Sequence, residues 1–555
     1  MKKVLLIILA LSIALSCAVG MAACNSNADD ETVISIRNLY FNDWNGEDDY
    51  TAILESMLKE RFGIDYKFKV SSYSWADWST QVSTGWQSNS LPNVFNDDVD
   101  SYNFANTYLA YVEDGAVKAL PDDLSKWPHV KDLIDSVSDI KHFKVDGHLY
   151  GIPVAKNING NVADFAPFTY VYRRDWALEL RERGEISFDI PENDVYDWDM
   201  FEELIDAFYR NKCQGGNIYA LADVEWGFPS VINFYKDAPH CFTYGSNGKV
   251  TSNYATAKFV EGLDQAKAWV DNGYYGYEQY TSNDGDANKE YYSGRIGVFY
   301  ENLSLTNYTT LRTKIKELNP KITQEELNNR TAIMKVSGPD GKYAIEGQED
   351  WFSMTFFSSK ISDAKMEAIL YLMDYLLSEE GTLFGLYGEE GTDYEKVEIT
   401  EDSVQGEDYD YIWKEGVGIK LLSWTKIEGT NEYANPFNGA RYLRYTCTLG
   451  YDIINIDPLT DSSAYPILED WTNFMIEQEG KGNLRLLKEP SEIKWLSTPT
   501  KDDRAGGVLE AANKSVQDYL YNSDYSKSDY LSNVSEESNN TWKKMVNEIN
   551  AALGK

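Results

Sequence analysis

Apolar and polar positions repeat with two different periods along the chain, and the alternation of these periods predicts alternating strands and helices. A strand begins at Val33-Ile34-Ser35-Ile36, and residues 50–62 then carry apolar side chains at helical spacing. Residues 64–70 alternate again as a second strand. This strand–helix–strand order predicts an α/β fold with a largely parallel sheet.

The same helical spacing recurs later in the chain, and Gly297–Tyr300 reads as a buried strand. Ser362 is expected to cap one of these helices and Gly381 to end it. An acidic loop is expected at 400–411, and a Ser/Asn/Asp-rich loop at 522–540. The later helices are predicted at 201–208, 259–270, 363–376 and 541–553.

The first residues have the composition of an export signal. Lys2 and Lys3 precede an apolar run from Val4 to Leu15, which is shorter than the roughly 20 residues of a membrane span. Met21-Ala22-Ala23-Cys24 resembles a bacterial lipobox, and a polar stretch follows it. We therefore expect a signal peptide at 1–23, a lipidated Cys24 with a tether over 24–32, and attachment to the extracytoplasmic face of the cell membrane. A competing site at Cys17 and an unlipidated secreted protein are the alternatives.

Length and charge narrow the class of protein. The 555 residues exceed the roughly 250–300 at which single cores stop growing, which predicts more than one domain. The formal net charge of −38 argues against binding to nucleic acid or to anionic lipid. The 15 Trp and 40 Tyr are unusually many, and aromatic rings offer flat surfaces on which ligands stack.

The motifs of common enzyme classes are missing from the sequence. It contains no Gly-x-Ser-x-Gly, no His-Glu-x-x-His and no phosphate-binding Gly-x-x-x-x-Gly-Lys. Residues 284–290 hint at a calcium loop, but Lys289 stands where such a loop needs glycine. We expect no cofactor, no metal and no catalytic residue. Cys213 and Cys241 could form a bridge, although buried thiols are favoured.

Several segments are similar to the extracellular solute-binding lipoproteins of ABC importers. The family is family 1, the maltose-binding-protein-like set, in its large Gram-positive form. Asp146-Gly147-His148-Leu149-Tyr150-Gly151-Ile152-Pro153 resembles the family's D-G-K-x-Y-G-x-P run. The other matching segments are Leu91–Asp98, Tyr172–Asp175, Ser337–Lys342 and Asp374–Gly381.

This resemblance implies a two-lobe fold of the periplasmic-binding-protein type II, with a hinge and a ligand cleft between the lobes. The first lobe would comprise 33–154 plus 355–400, and the second 155–354 plus 401–555. It also implies a non-enzymatic monomer that captures a carbohydrate, an oligosaccharide, and delivers it to the permease subunits of an ABC transporter.

A neutral sugar presents apolar C–H faces and hydroxyls that both donate and accept hydrogen bonds. Aromatic rings suit the faces, and carboxylates and amides suit the hydroxyls. From this chemistry and from the resemblance we expect the following ligand-binding residues: Trp44, Asn96, Asp97, Asp98, Asn157, Glu225, Trp226, Glu301, Asn302 and Trp351.

Each of these residues also has a purely structural interpretation. The tryptophans could fill the core, and the aspartates could cap a helix or turn. Two alternatives for function stay open as well. One is a surface enzyme or adhesin that acts on polysaccharide, and the other is the same transport role with a peptide or another small solute as cargo.

Overall fold

The computed structural model describes most of the chain. Its described residues form two compact units, one from the described parts of 1–100, 106–159 and 349–459, the other from those of 101–105, 160–348 and 460–555. The described residues are 31–38, 49–73, 77–99, 104–155, 168–211, 219–223, 229–239, 241–275, 286–347, 349–400, 402–426, 433–434, 448 and 463–555.

A five-stranded sheet is the centre of the first unit's described part. All strands except Trp351–Phe357 are parallel, and that strand runs antiparallel between its two neighbours. In spatial order the strands are Lys67–Ser72, Val33–Asn38, Val94–Asp97, Trp351–Phe357 and Gly151–Ala155. The largely parallel sheet predicted from the opening residues is thereby confirmed.

Helices also belong to this unit, and the serine side chains of Ser362 and Ser378 cap two of them. The predicted cap is present, because the Ser362 side chain accepts a hydrogen bond from Lys365 N. The expected stop at Gly381 is wrong: the helix ends at Leu377, and a second helix follows at once. The helices are Asp49–Phe62, Trp78–Gln87, Ala110–Glu113, Pro128–Ser136, Asp363–Leu377 and Glu379–Tyr387.

A short hairpin stands in the segment that resembles the family's D-G-K-x-Y-G-x-P run. Lys144–Val145 pairs with His148–Leu149, and Asp146 and Gly147 between them have φ of 52° and 90°. Positive φ at both central residues is the geometry that an Asp-Gly turn supplies. The hairpin leads directly into the strand Gly151–Ala155.

A small three-stranded sheet also belongs to the first unit. Its strands, in spatial order, are Tyr394–Glu398, Val417–Leu421 and Tyr411–Lys414. Ile419 and Trp424 pack with Leu383 and Tyr387 of the preceding helix in one buried cluster. The predicted lobes, by contrast, assign everything beyond residue 400 to the second lobe; the difference arises because this apolar face is buried against the helix Glu379–Tyr387.

The second unit has its own five-stranded sheet among the described residues. Phe168–Tyr172 runs antiparallel to both neighbours, and the remaining strands are parallel to one another. In spatial order the strands are Val195–Tyr196, Ala332–Val336, Phe168–Tyr172, Ile296–Asn302 and Tyr219–Asp223. Two strand pairs flank it: Phe242–Tyr244 with Val250–Ser252, and Tyr343–Glu346 with Leu484–Leu487.

Helices surround this second sheet, and the last three pack against one another, against the helix Ala257–Asp271 and against the strand Val250–Ser252. Trp542 of the final helix meets Phe242 and Tyr254 edge-on. The main helices are Arg174–Glu182, Trp198–Asn211, Ala257–Asp271, Asp286–Tyr292, Leu305–Leu318, Gln324–Arg330, Tyr465–Gly480, Pro499–Tyr521, Lys527–Val534 and Asn540–Ala552.

The loop predicted at 522–540 is only partly correct. Residues 527–534 are helical, because Ser526 and Asp529 form a reciprocal capping box and Tyr530 and Val534 are buried in the core.

Candidate functional site

Parallel strands direct their carboxyl ends to one edge of a sheet, and ligands of open α/β folds bind beyond that edge. In the first unit this edge contains Asn38 and Asp97, which end two parallel strands. Trp351 lies at the same edge, because it begins the antiparallel strand and pairs with Ala155. Asp97 and Trp351 of the predicted ligand-binding set are thus brought to one edge.

Asp97 is a buried carboxylate with fixed partners. The Tyr111 hydroxyl donates to Asp97 Oδ2 at 2.5 Å, and Asp98 N donates to Asp97 Oδ1 at 2.9 Å. Burial raises the pKa of Asp97 to about 6, against the opposing effect of these two hydrogen bonds. Asp98, the next residue, is only half-buried and extends the edge toward solvent.

An arginine and a tyrosine that sequence reasoning missed complete this edge. The Arg37 guanidinium lies over the Tyr73 ring, 5.1 Å from its centre, and Arg37 Nε donates to Ser71 Oγ at 3.1 Å. Both residues lie at strand ends, next to Asn38 and Ser72. The signal in the sequence is their position at the end of a predicted strand, whereas Asp97 is predicted from the resemblance to the family.

The side chains of Asn96 and Trp351 are buried in the first unit, and both pack against its other residues. The Asn96 side chain is buried, and its backbone carbonyl accepts a hydrogen bond from Trp78 Nε1 at 3.0 Å. Trp351 is 3% exposed and meets Phe143 edge-on, with ring centres 4.9 Å apart. Within the first unit both residues contribute to packing, and their role as ligand contacts stays a prediction.

The second unit presents an equivalent edge. Asp223 ends one strand, Glu301 and Asn302 end its neighbour, and Phe168 begins the antiparallel strand beside them. The register places Tyr300 opposite Asp223 and Asn302 opposite Phe168. Glu301 and Asn302, predicted from sequence, therefore lie at a carboxyl edge as expected.

Asp223, which sequence reasoning did not select, is the most enclosed acid of this edge at 1% exposure. Ser230 donates to it twice, from the backbone N to Oδ2 at 2.9 Å and from Oγ to Oδ1 at 2.6 Å. Burial raises the pKa of Asp223 to about 6, while the hydrogen bonds from Ser230 and Tyr275 act in the opposite direction.

A small pocket of about 20 Å³, partly open to solvent, lies at this edge. Five of its twelve lining residues are aromatic, and Asn233 Nδ2 donates to the Tyr300 hydroxyl at 2.8 Å across it. The pocket has room for a single water-sized group, such as one hydroxyl of a ligand, between ring faces and a few fixed polar atoms. The lining residues are Phe168, Thr169, Tyr170, Ser230, Asn233, Phe234, Tyr300, Val336, Ala344, Ile345, Trp471 and Met475.

Glu301 is held by short hydrogen bonds beside this pocket. Its Oε1 accepts from Asn302 N at 2.7 Å and its Oε2 accepts from Asn288 Nδ2 at 3.0 Å. Such bonds fix the orientation of a carboxylate, whose oxygens are hydrogen-bond acceptors only.

The remaining predicted residues lie outside the described residues: Cys24, Trp44, Asn157, Glu225 and Trp226. Cys213 and Asp284 lie outside them too, whereas Cys241 is buried with its Sγ 3.9 Å from the Tyr254 hydroxyl. Over the described part of the chain, no group of three or more His, Cys, Asp or Glu side chains is arranged to hold a metal ion. Nor does any helix there have the length and apolar character that crossing a membrane requires.

Comparison with proteins of known structure gives the fold. The structure is similar to the alginate-binding protein AlgQ2, with a TM-score of 0.58 and 15% identity over 95% of this chain and 99% of that one. It is also similar to the N-glycan transport solute-binding protein NgtS of Streptococcus pneumoniae, with a TM-score of 0.56 and 17% identity over 94% and 98% of the two chains. The predicted two-lobe binding-protein fold is confirmed by these neighbours.

Comparison of sequences gives the family. The polygalacturonan/rhamnogalacturonan-binding protein YtcQ of Bacillus subtilis (strain 168) is 23% identical over 286 residues, which are 50% of this chain and 51% of that protein. The chain thus matches about half the length of this relative. The model of the bacterial extracellular solute-binding proteins matches residues 54–383, more than half of the chain. The chain belongs to the bacterial extracellular solute-binding proteins.

Proposed function

We propose that this protein captures an oligosaccharide and delivers it to the permease of an ABC transporter. The observation behind the proposal is the pairing of aromatic rings with fixed carboxylates at the carboxyl edge of each sheet. In the second unit Tyr300 and Phe168 stand beside Asp223 and Glu301. Ring faces stack on sugar C–H groups, and carboxylates accept from sugar hydroxyls.

The names of similar proteins support a carbohydrate cargo. YtcQ is named for binding polygalacturonan and rhamnogalacturonan, AlgQ2 for binding alginate, and NgtS for transport of N-glycans. Polymers and oligomers of sugars are common to all three names, although the sugars differ. We therefore propose the carbohydrate class and leave its linkage to experiment.

The predicted ligand residues keep separate roles in this proposal. Asp97, Asp98, Glu301 and Asn302 would bind hydroxyls, and Trp44 and Trp226 would stack on sugar rings. The protein would act as a receptor without catalysis, so that binding is reversible and the sugar is recovered unchanged. Diacylation at Cys24 would hold the monomer at the outer face of the membrane.

Thermal unfolding with a panel of tetrasaccharides tests this proposal. The purified chain from residue 25 onward is mixed with maltotetraose, β-1,4-galactotetraose, β-1,4-mannotetraose or tetragalacturonate, and each sugar is analysed afterward. A ligand at ~100 times its dissociation constant adds about 2.7 kcal/mol to the free energy of unfolding, which raises Tm. We expect a shift with at least one intact tetrasaccharide. A degraded sugar, or no shift with any of them, contradicts the proposal.

Trp226→Ala, with Trp413→Ala as its control, then tests the proposed stacking contact. Trp413 is half-buried on the small sheet of the first unit, where its Nε1 donates to Glu379 at 3.2 Å, and it belongs to neither strand edge. Loss of one stacked ring should weaken binding about tenfold or more in Trp226→Ala. Trp413→Ala should leave the affinity unchanged, and equal affinities in the two variants would remove Trp226 from the site.

A further inference from the structure

A chain of hydroxyl groups connects the pocket of the second unit with the buried Asp223. The Tyr170 hydroxyl donates to Ser230 Oγ at 2.8 Å, and Ser230 Oγ donates to Asp223 Oδ1 at 2.6 Å. Tyr170 and Ser230 line the pocket, whereas Asp223 lies behind them. The two hydroxyls therefore link the carboxylate to the pocket.

Asp223 also fixes the backbone from which the pocket wall is built. Ser230 N donates to Asp223 Oδ2 at 2.9 Å, and Ser230 is the first residue of the 3₁₀ helix Ser230–Phe234. This helix contributes Asn233 and Phe234 to the pocket. A charged acceptor makes stronger hydrogen bonds than a neutral one, so that ionised Asp223 holds the start of the helix more firmly than protonated Asp223 does.

We propose that Asp223 is a positioning residue for the ligand pocket and makes ligand affinity depend on pH. This inference rests on the proposed function, since it describes how the same site is controlled. With Asp223 ionised, both hydroxyls point inward, and the Tyr170 oxygen presents its lone pairs to the pocket. With Asp223 protonated, the carboxyl O–H donates to Ser230, the chain of donors reverses, and the Tyr170 O–H turns toward the pocket.

The tyrosines Tyr170 and Tyr300 near Asp223 do not titrate between pH 5 and 8. Burial raises the pKa of both well above the usual value, so both stay neutral. Tyr275 donates to Asp223, and Glu346, which acts on Tyr300, forms an ion pair with Lys236 at 2.7 Å. The pKa of Asp223 itself, about 6, lies inside this range.

The hydrogen bonds of Asp223 set the direction of the pH effect on ligand affinity. Burial contributes little to it, because Asp223 is already enclosed without ligand and a ligand over Tyr170 adds little further desolvation. Affinity should be higher above pH 7 than at pH 5. Stability should change in the opposite direction, because burial alone favours the protonated carboxyl in the folded state. These opposite trends separate a change in the pocket from unfolding.

The test measures the Kd of the tetrasaccharide that gives the largest thermal shift, at pH values from 5 to 8. For the wild type we expect affinity to fall about tenfold from pH 7.5 to pH 5. Asp223→Asn carries one donor and one acceptor, like the protonated acid, so its affinity should be independent of pH and equal to that of the wild type at pH 5. Ser230→Ala breaks the hydroxyl chain and should also remove the pH dependence.

Asp194→Asn is the matched control. Asp194 is a half-buried acid of the second unit, its pKa is also raised by burial, and it accepts from Tyr172 at the opposite end of the sheet. This variant should keep the wild-type pH profile. A pH dependence that persists in Asp223→Asn and disappears in Asp97→Asn, or a wild-type Kd equal at pH 5 and 7.5, overturns this inference alone. Failure of every tetrasaccharide to bind at any pH overturns the proposed function and this inference with it.

Discussion

Tyr111 donates its hydroxyl proton to Asp97 across 2.5 Å at the carboxyl edge of the first sheet, where both side chains are buried. The pKa of Asp97 is nevertheless raised to about 6, because desolvation outweighs this hydrogen bond. Protonation of an acid whose pKa is higher in the folded state than its usual 3.8 contributes to the stability of the fold. This contribution is fully present below pH 3.8 and is lost as the pH rises through 6.

Asp97→Asn should therefore change the pH dependence of stability. We expect the free energy of unfolding of the wild type, minus that of the variant, to grow by on the order of 1 kcal/mol from pH 8 to pH 5. Denaturant unfolding at each pH measures this difference. Asp65→Asn is the control, because Asp65 is exposed and its pKa is lowered by the hydrogen bond from Lys59. A difference for Asp97→Asn that stays flat with pH, as for the control, would show that Asp97 is not a raised-pKa acid.

Asp374 connects two helices of the first unit, and its loss should destabilise that unit. Asp374 Oδ1 accepts from His129 N at 2.7 Å and from Val130 N at 3.1 Å, at the start of the helix Pro128–Ser136. A carboxylate here satisfies two N–H groups that have no partner inside the helix. Asp374→Ala should lower the free energy of unfolding by about 1–2 kcal/mol, as measured by urea denaturation.

Asp374→Asn provides the comparison for this helix contact. Its side-chain oxygen can still accept from both N–H groups, but without the negative charge that favours a helix N-terminus. We expect it to lose less than half of what Asp374→Ala loses. Equal losses in both variants would mean that the charge, and not the hydrogen bonds, accounts for the effect.

The sequence predicted those parts of the fold whose signals are local. The spacing of Phe201, Leu204, Ile205 and Phe208 gave the helix that the structure has at Trp198–Asn211, and all four side chains are buried. The opening strand likewise appears, as Val33–Asn38. Local periodicity sufficed here because each element buries one continuous apolar face.

Nonlocal partners explain what the sequence did not reveal. Asp223 is one of 89 acidic residues, and its role depends on Ser230 and Tyr170, which reach it through the fold rather than through spacing. The sequence prediction places the two strands of the small sheet after residue 400 in the second lobe, because their partner face on the helix Glu379–Tyr387 is formed by tertiary packing. By contrast, the capping box of Ser526 and Asp529 is a local signal, because the two residues stand three positions apart just before a helix.

Two glycines of the helix Glu379–Tyr387 should respond in opposite ways to alanine. A Cβ on Gly381 would lie 1.8 Å from the Tyr375 carbonyl oxygen, whereas a Cβ on Gly385 would meet no atom within 4 Å. Gly381→Ala must displace backbone and should lower the free energy of unfolding by more than about 2 kcal/mol. Gly385→Ala should raise it by up to about 1 kcal/mol, since alanine is the better helix former. Urea denaturation of both variants measures these changes, and similar values for the two would contradict the close approach at Gly381.

The lipid anchor proposed at Cys24 predicts a change in location on substitution of one cysteine. Cys24→Ala removes the thiol that diacylation requires, so we expect the variant to carry no lipid and to leave the membrane fraction of the expressing cells. Labelling with an alkyne fatty acid and fractionation of the cells measure both effects. Cys17→Ala is the control, and it should leave labelling and membrane attachment unchanged. Labelling that disappears only in Cys17→Ala would move the processing site to the competing cysteine.

Lys236 and Glu346 form an ion pair in the second unit. Substitution of one member should lower the free energy of unfolding by a different amount than substitution of the other. The Lys236 side chain is 2% exposed and its Nζ lies 2.7 Å from Glu346 Oε1, while the Glu346 side chain is 27% exposed. Removal of the carboxylate leaves a buried ammonium, which still donates to the Pro239 carbonyl at 3.4 Å but has lost its charged partner. Removal of the ammonium leaves a carboxylate that water can still reach.

Glu346→Gln should therefore lower the free energy of unfolding by about 3 kcal/mol, and Lys236→Met by clearly less. The double variant Lys236→Met/Glu346→Leu replaces both charges with apolar groups and should recover most of the loss, because the cost of burying the ammonium disappears with it. A double-mutant cycle by urea denaturation gives the coupling between the two residues. A double variant that is less stable than either single variant would contradict this expectation. The attraction between the two charges would then exceed the desolvation free energy of burying them.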